Sequence, residues 1–149
     1  MKLSSSAFEN KNTIPKKFGY NHENINPSIL IEDVPQNTKS LVLIMDDPDA
    51  LSAVGKIWTH WIVWNISPDT KIINENSIPQ NAIEGTNDFE QIGYGGPAPP
   101  DKKHTYVFTM YSIDIILENK KGSSKNDILT SIENHIVEQA QLFGTFEPT

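Results

Sequence analysis

Residues 57–66 read Ile57-Trp58-Thr59-His60-Trp61-Ile62-Val63-Trp64-Asn65-Ile66. β-Branched and aromatic side chains fill the segment, which favours an extended strand. Alternation puts Trp58, His60, Ile62 and Trp64 on one face and Thr59, Trp61, Val63 and Asn65 on the other. Both faces are bulky and largely apolar, so the pattern predicts a central strand covered on each side. That points to packed sheets rather than a single open sheet.

Working outward, Ser40–Met45 and His104–Ile113 read as two further strands, rich in Val, Ile, Tyr and Phe. Pro15, Pro27, Pro35, Pro48, Pro68, Pro79, Pro97, Pro99 and Pro100 punctuate the chain and leave room for short strands but not for long helices. Near the C-terminus the period changes. Ile128, Ile132, Ile136, Ala140 and Phe143 form an i, i+4 ladder, Ser124 and Asp127 make a capping box, and Gly144 suits the closing position. A helix running to Phe143 is expected. Residues 1–13 are polar and are read as a loose or edge-lying arm of one domain spanning 1–149.

Composition excludes several classes. Twelve basic residues, every one a Lys, stand against 19 acidic ones, for a formal charge of −7. A chain without Arg or a basic face is a poor fit for nucleic acid. The apolar runs are far shorter than the roughly 20 residues of a membrane span. The first residues have no apolar core of a secretion signal, so a cytoplasmic protein is expected. With no Cys, disulfides and Cys-based metal sites are impossible.

Four segments carry groups capable of chemistry: Asp46-Asp47-Pro48-Asp49 after the first strand, Trp58-Thr59-His60, Gly93-Tyr94-Gly95-Gly96-Pro97-Ala98-Pro99-Pro100, and His104-Thr105-Tyr106. Each alone has an ordinary structural reading as turn, core or strand start. The glycine-rich run also suits a concavity of backbone amides that cradles an anion. Asp47, Asp49, His60 and His104 would converge if their strands are neighbours.

Together these segments resemble the phosphatidylethanolamine-binding protein family, which includes Raf kinase inhibitor protein, and above all its bacterial and archaeal branch. The carrying motifs are Asp47-Pro48-Asp49-Ala50, Trp58-Thr59-His60-Trp61 with Asn65, Gly85-Thr86-Asn87-Asp88-Phe89, Gly93 to Pro100, His104-Thr105-Tyr106 and Leu142-Phe143-Gly144-Thr145-Phe146. They extend from about Phe18 to Phe146 in the family's order.

The resemblance implies a mainly β, antiparallel Greek-key sandwich of that type with a C-terminal helix. It also implies a surface pocket for phosphate-like anions, walled by Asp47, Asp49, Trp58, His60, Gly95, Gly96, Pro97, His104 and Tyr106. In that reading the imidazoles and glycine-loop amides donate to the anion, and the two Asp side chains orient the site. Three departures stand out: Leu51 replaces a Pro, Thr105 replaces a common Arg, and Ala98 replaces a frequent Cys. The resemblance further implies a non-catalytic binding protein without a cofactor. Its partner would be a phosphorylated ligand or a protein such as a kinase or protease, without stable membrane association, and homodimerisation is compatible with it. Two other readings of the same residues stay open: a hydrolase using His60 or His104 as a general base, and a metal site formed by Asp47, Asp49, His60 and His104.

Overall fold

A computed structural model describes residues 1–149. Eight strands and two short helices follow one another as β1 (Lys2–Ser4), β2 (Ile29–Glu32), β3 (Ser40–Asp47), α1 (Ala50–Val54), β4 (Trp58–Ile66), β5 (Ile72–Ile73), β6 (Ile83–Glu84), β7 (His104–Ile113), α2 (Lys125–Ile132) and β8 (Ile136–Phe146). They form a three-stranded sheet, β1-β2-β5, and a five-stranded sheet, β6-β4-β3-β7-β8, antiparallel throughout. β7 returns to the far side of β3, opposite β4, which is the Greek-key connection.

The central strands are covered on both faces. Leu41, Leu43, Met45, Trp61, Val63, Tyr106, Phe108 and Met110 meet Leu3, Ile29, Ile31 and Ile73 of the smaller sheet in the main core. On the opposite face, Val42, Ile44, Ile62 and Trp64 pack against Ile128 and Ile132 of α2. Burial of an aliphatic or aromatic side chain contributes about 1.5–3 kcal/mol, so these two layers dominate the stability.

The simple alternation of β4 fails at two points: at Asn65, φ 54°, so that Ile66 rather than Asn65 joins Trp61 and Val63 in the main core, and nearer the cavity, where the failure makes the site. The pairing of β3 with β4 slips between Met45↔Trp61 and Asp46↔Thr59. Thr59 Oγ1 therefore donates to Asp46 Oδ1 on the α2 side, where Lys125 also reaches Asp46 at 2.7 Å. Trp58 and His60 go to the Tyr106 face instead of joining Ile62 and Trp64. A bulge re-aims side chains in this way.

The C-terminal expectation needs correction. The capping box is present, with Ser124 Oγ accepting from the Asp127 N–H and the Asp127 carboxylate accepting from the Ser124 N–H. The helix ends at Ile132, however, and Ile136–Phe146 forms β8 against β7. Asn134, at φ 68°, turns the chain between them. Long-range pairing with β7 overrides the weak helical ladder. Gly144 is consequently a strand residue; a Cβ there would sit 2.5 Å from Ile14.

Residues 1–13 are held rather than loose. Leu3 and Phe8 are buried, β1 pairs with β2, and the Lys11 and Ile14 amides donate to the carbonyls of Phe143 and Thr145.

Candidate functional site

At one end of β3, β4 and β7 lies a cavity of about 250 Å³ lined by Asp47, Ala50, Ala53, Val54, Trp58, His60, Phe89, Ala98, Pro100, His104 and Tyr106. The register of the sheet builds it. Asp47 lies opposite Trp58 on β4, and Tyr106 follows His104 on β7 by one full alternation. The aromatic rings stand nearly at right angles, His60 to Tyr106 at 83° and both Trp58 and His60 to Phe89 at 70°. Edge-to-face contacts of this kind hold rings in fixed orientations.

His104 is fully buried between two carboxylates. Its Nδ1 is 2.7 Å from Asp47 Oδ2 and its Nε2 is 2.7 Å from Asp101 Oδ1. Burial opposes charge on this ring, but Asp47 and Asp101 outweigh it and raise the imidazole above its ordinary range. Asp47, itself buried, also accepts from the Ala50 amide at the start of α1. Asp101 was not recognised from the sequence; its only signal is a position three residues before His104 in an exposed polar turn.

His60 is the opposite case. Its Nδ1 lies 2.6 Å from the Gly95 carbonyl, which can only accept, so Nδ1 carries the proton. Burial pushes the imidazole below its ordinary range, against the pull of the Gly95 carbonyl, Asp47 and Asp46. The neutral ring thus presents an unprotonated Nε2 with no partner in the protein. Tyr106 and Trp58 complete the polar inventory. Burial first, and the Asp47 charge second, push the Tyr106 hydroxyl upward, so it remains protonated. It lies near Asp47 and Ala98 but closes no well-formed hydrogen bond. The Trp58 indole N–H is likewise buried and unpartnered, while the Lys56 ammonium sits 5.6 Å over the Trp58 ring.

Of the residues named from the sequence, Asp47, Trp58, His60, His104 and Tyr106 come together around the cavity. Asp49, Gly95, Gly96 and Pro97 do not line it. The Asp49 carboxylate accepts from the Thr105 amide at 2.8 Å. The glycine loop is no anion cradle: the amides of Gly93, Gly95 and Gly96 donate to Gly85 O, His60 O and Asn24 Oδ1. Gly96 also packs so closely that a Cβ would fall 2.0 Å from the Phe18 carbonyl, and the Pro97 carbonyl accepts from Tyr20. The loop's role is to dock against residues 18–24 and to hold His60 through Gly95. Leu51, where a Pro was expected, is an exposed residue of α1.

A metal site is not assembled. No group of three or more His, Asp or Glu side chains is disposed to hold an ion, because Asp49 turns to Thr105 and both His104 nitrogens are engaged. The same engagement leaves His104 without a free lone pair in this arrangement.

The phosphatidylethanolamine-binding protein family profile matches residues 4–147. The chain belongs to the phosphatidylethanolamine-binding protein family. It is 40% identical over 151 residues to a UPF0098 protein of the archaeon Methanothermobacter thermautotrophicus, covering 98% of each chain. A UPF0098 protein of Chlamydia trachomatis is also 40% identical, with 99% of each chain covered. The solved structure of a phosphatidylethanolamine-binding protein homologue from C. trachomatis superposes with a TM-score of 0.93 at 39% identity, over 99% of this chain and 97% of that one. Escherichia coli YbcL, described as a member of the mammalian family, shares the fold at a TM-score of 0.91 and 24% identity, over 99% and 98% of the two chains. The family is thus present in both bacteria and archaea, and the mainly β architecture is the one its solved members share. No helix in this family member is long and apolar enough to cross a membrane.

Proposed function

We propose that this family member is a binding protein whose cavity takes one small phosphate-like anion, free or at the end of a phosphorylated ligand. The observation that carries the reading is the pair of buried donors without acceptors, the Tyr106 hydroxyl and the Trp58 indole N–H. Leaving a buried donor unsatisfied costs about 1–3 kcal/mol, and a ligand oxygen would recover that at either group. The Lys56 ammonium lies over the face of the Trp58 ring while paired with Asp88 at 3.1 Å, which steadies the ring that carries one of these donors. The apolar walls, Ala50, Ala53, Val54, Phe89 and Pro100, suit a ligand with a small apolar part beside its charged end.

Since His60 presents a lone pair and Asp47 a carboxylate, the favoured anion carries an acid proton or brings one with it. A hydrogen phosphate or a phosphomonoester monoanion has that character. With few charge-assisted bonds available, binding is expected in the micromolar to millimolar range.

Amide and indole NMR titration with inorganic phosphate and with phosphoethanolamine at pH 6.5 tests the reading. Saturable shifts at Trp58, His60, Phe89 and Tyr106 are expected. Their absence at millimolar ligand would overturn it.

A further inference from the structure

His104 lies in the cavity wall, yet neither of its nitrogens is available to a ligand. The two carboxylates that occupy them differ. Asp47 is buried, is bonded also to the Ala50 amide, and would be stranded as a buried charge if it let go. Asp101 sits on the exposed turn 100–103, with nearly half of its side chain open to solvent. It reaches only three residues along the chain to His104, and it follows Pro100, which itself lines the cavity.

We propose that Asp101 is a built-in competitor for the anion: its carboxylate holds the His104 Nε2–H donor that a phosphate-like oxygen would otherwise take, so ligand entry and release of Asp101 are one exchange. This rests on the anion-binding reading above. Two arguments support it. A carboxylate oxygen and a phosphate oxygen satisfy an imidazolium N–H in the same way, with charge-assisted bonds of similar length. Charge balance also requires the exchange. Asp47, His104 and Asp101 already place two anionic groups on one cation; a ligand anion added to that set would make three. Expelling Asp101 into water restores two, and the solvated carboxylate then lies beside the exposed Lys102 and Lys103. Asp101 therefore sets a threshold for occupancy: weak anions lose to it and stronger or more concentrated ones displace it.

The test is calorimetric titration of inorganic phosphate at pH 6.5 into the wild-type chain, Asp101→Asn and Asp101→Ser. Imidazole 15N spectra of His104 are recorded in parallel. Both variants alter an exposed turn, and a thermal melt confirms that they fold. Phosphate is expected to bind about fivefold tighter to the variants, with the gain shrinking as sodium chloride is raised. In the wild type, saturation with phosphate should shift the His104 Nε2 resonance. If the wild type binds phosphate and neither variant binds it more tightly, the competitor role is overturned and anion binding stands. If no form binds phosphate, both readings fall.

Discussion

His60 and Gly95 are joined reciprocally: the His60 Nδ1–H donates to the Gly95 carbonyl at 2.6 Å, and the Gly95 amide donates to the His60 carbonyl at 2.9 Å. A ring held this way has one tautomer, and its second nitrogen is an acceptor. The loop that resembled an anion cradle in the sequence acts instead as the clamp that decides what His60 can offer. An oxyanion next to a bare lone pair is repelled until a proton lies between them.

Anion binding should therefore take up a proton. Because burial holds the free-state His60 below its ordinary range, the ring is neutral near pH 7 and gains its proton only with the ligand. Sulfate, which does not itself titrate here, should bind more tightly at pH 6 than at pH 8, and the apparent proton uptake should show in calorimetry across buffers of different ionisation enthalpy. Equal affinity at both pH values would remove His60 from the mechanism.

Tyr106→Phe separates stability from binding. The hydroxyl is buried without a partner, so removing it should leave the unfolding free energy unchanged or raise it by up to about 1 kcal/mol. Phosphate affinity should fall about tenfold, one charge-assisted hydrogen bond having been lost. Urea denaturation beside the NMR titration reads both quantities. A large loss of stability would show that the hydroxyl has a structural partner.

His104→Asn should lower stability by about 3 kcal/mol, because Asp47 keeps a buried charge without its counter-ion. The pH profile carries a sign. The folded-state value of His104 is raised, so its contribution is complete below the unfolded value of about 6.5 and is lost as pH climbs through the raised value. His60 acts oppositely, its depressed value costing stability as pH falls below about 6.5. Melting temperatures from pH 5 to 9 should decline on both sides for the wild type, with the alkaline decline missing in His104→Asn.

Gly96→Ala probes the loop's docking. Its Cβ would stand 2.0 Å from the Phe18 carbonyl, a backbone atom with little room to move. A loss of about 2 kcal/mol or more is expected, together with a shifted His60 resonance. Near-neutral behaviour would mean that the loop is not anchored as described.

The parts of the fold written locally were legible. The runs 40–45, 57–66 and 104–113 announced the three central strands through their β-branched and aromatic content, and Ser124 with Asp127 announced the start of α2. What eluded reading depends on partners distant in sequence. The span 136–146 is polar enough along Glu138-Gln139-Ala140-Gln141 to mimic a helix, and only β7 beside it makes it a strand. At the site, five of nine candidate residues surround the cavity. The bulge that aims His60 arises from register with β3, which single-strand alternation does not encode. Asp101 was overlooked because a carboxylate in a Pro-Asp-Lys-Lys turn looks like ordinary solvation, and its meaning comes from the ring it reaches.

The strap formed by residues 11–14 along Phe143–Thr145 bears on how the chain folds. The two halves of that contact lie far apart in sequence, on either side of every other strand pairing of the five-stranded sheet. Until β8 is in place, the outer edge of β7 is open, and β1 and β2 have no closed body to rest on. Assembly of the native sheets is then governed by slow, long-range closure. During that interval the unpaired β7 edge is the molecule's point of exposure to aggregation.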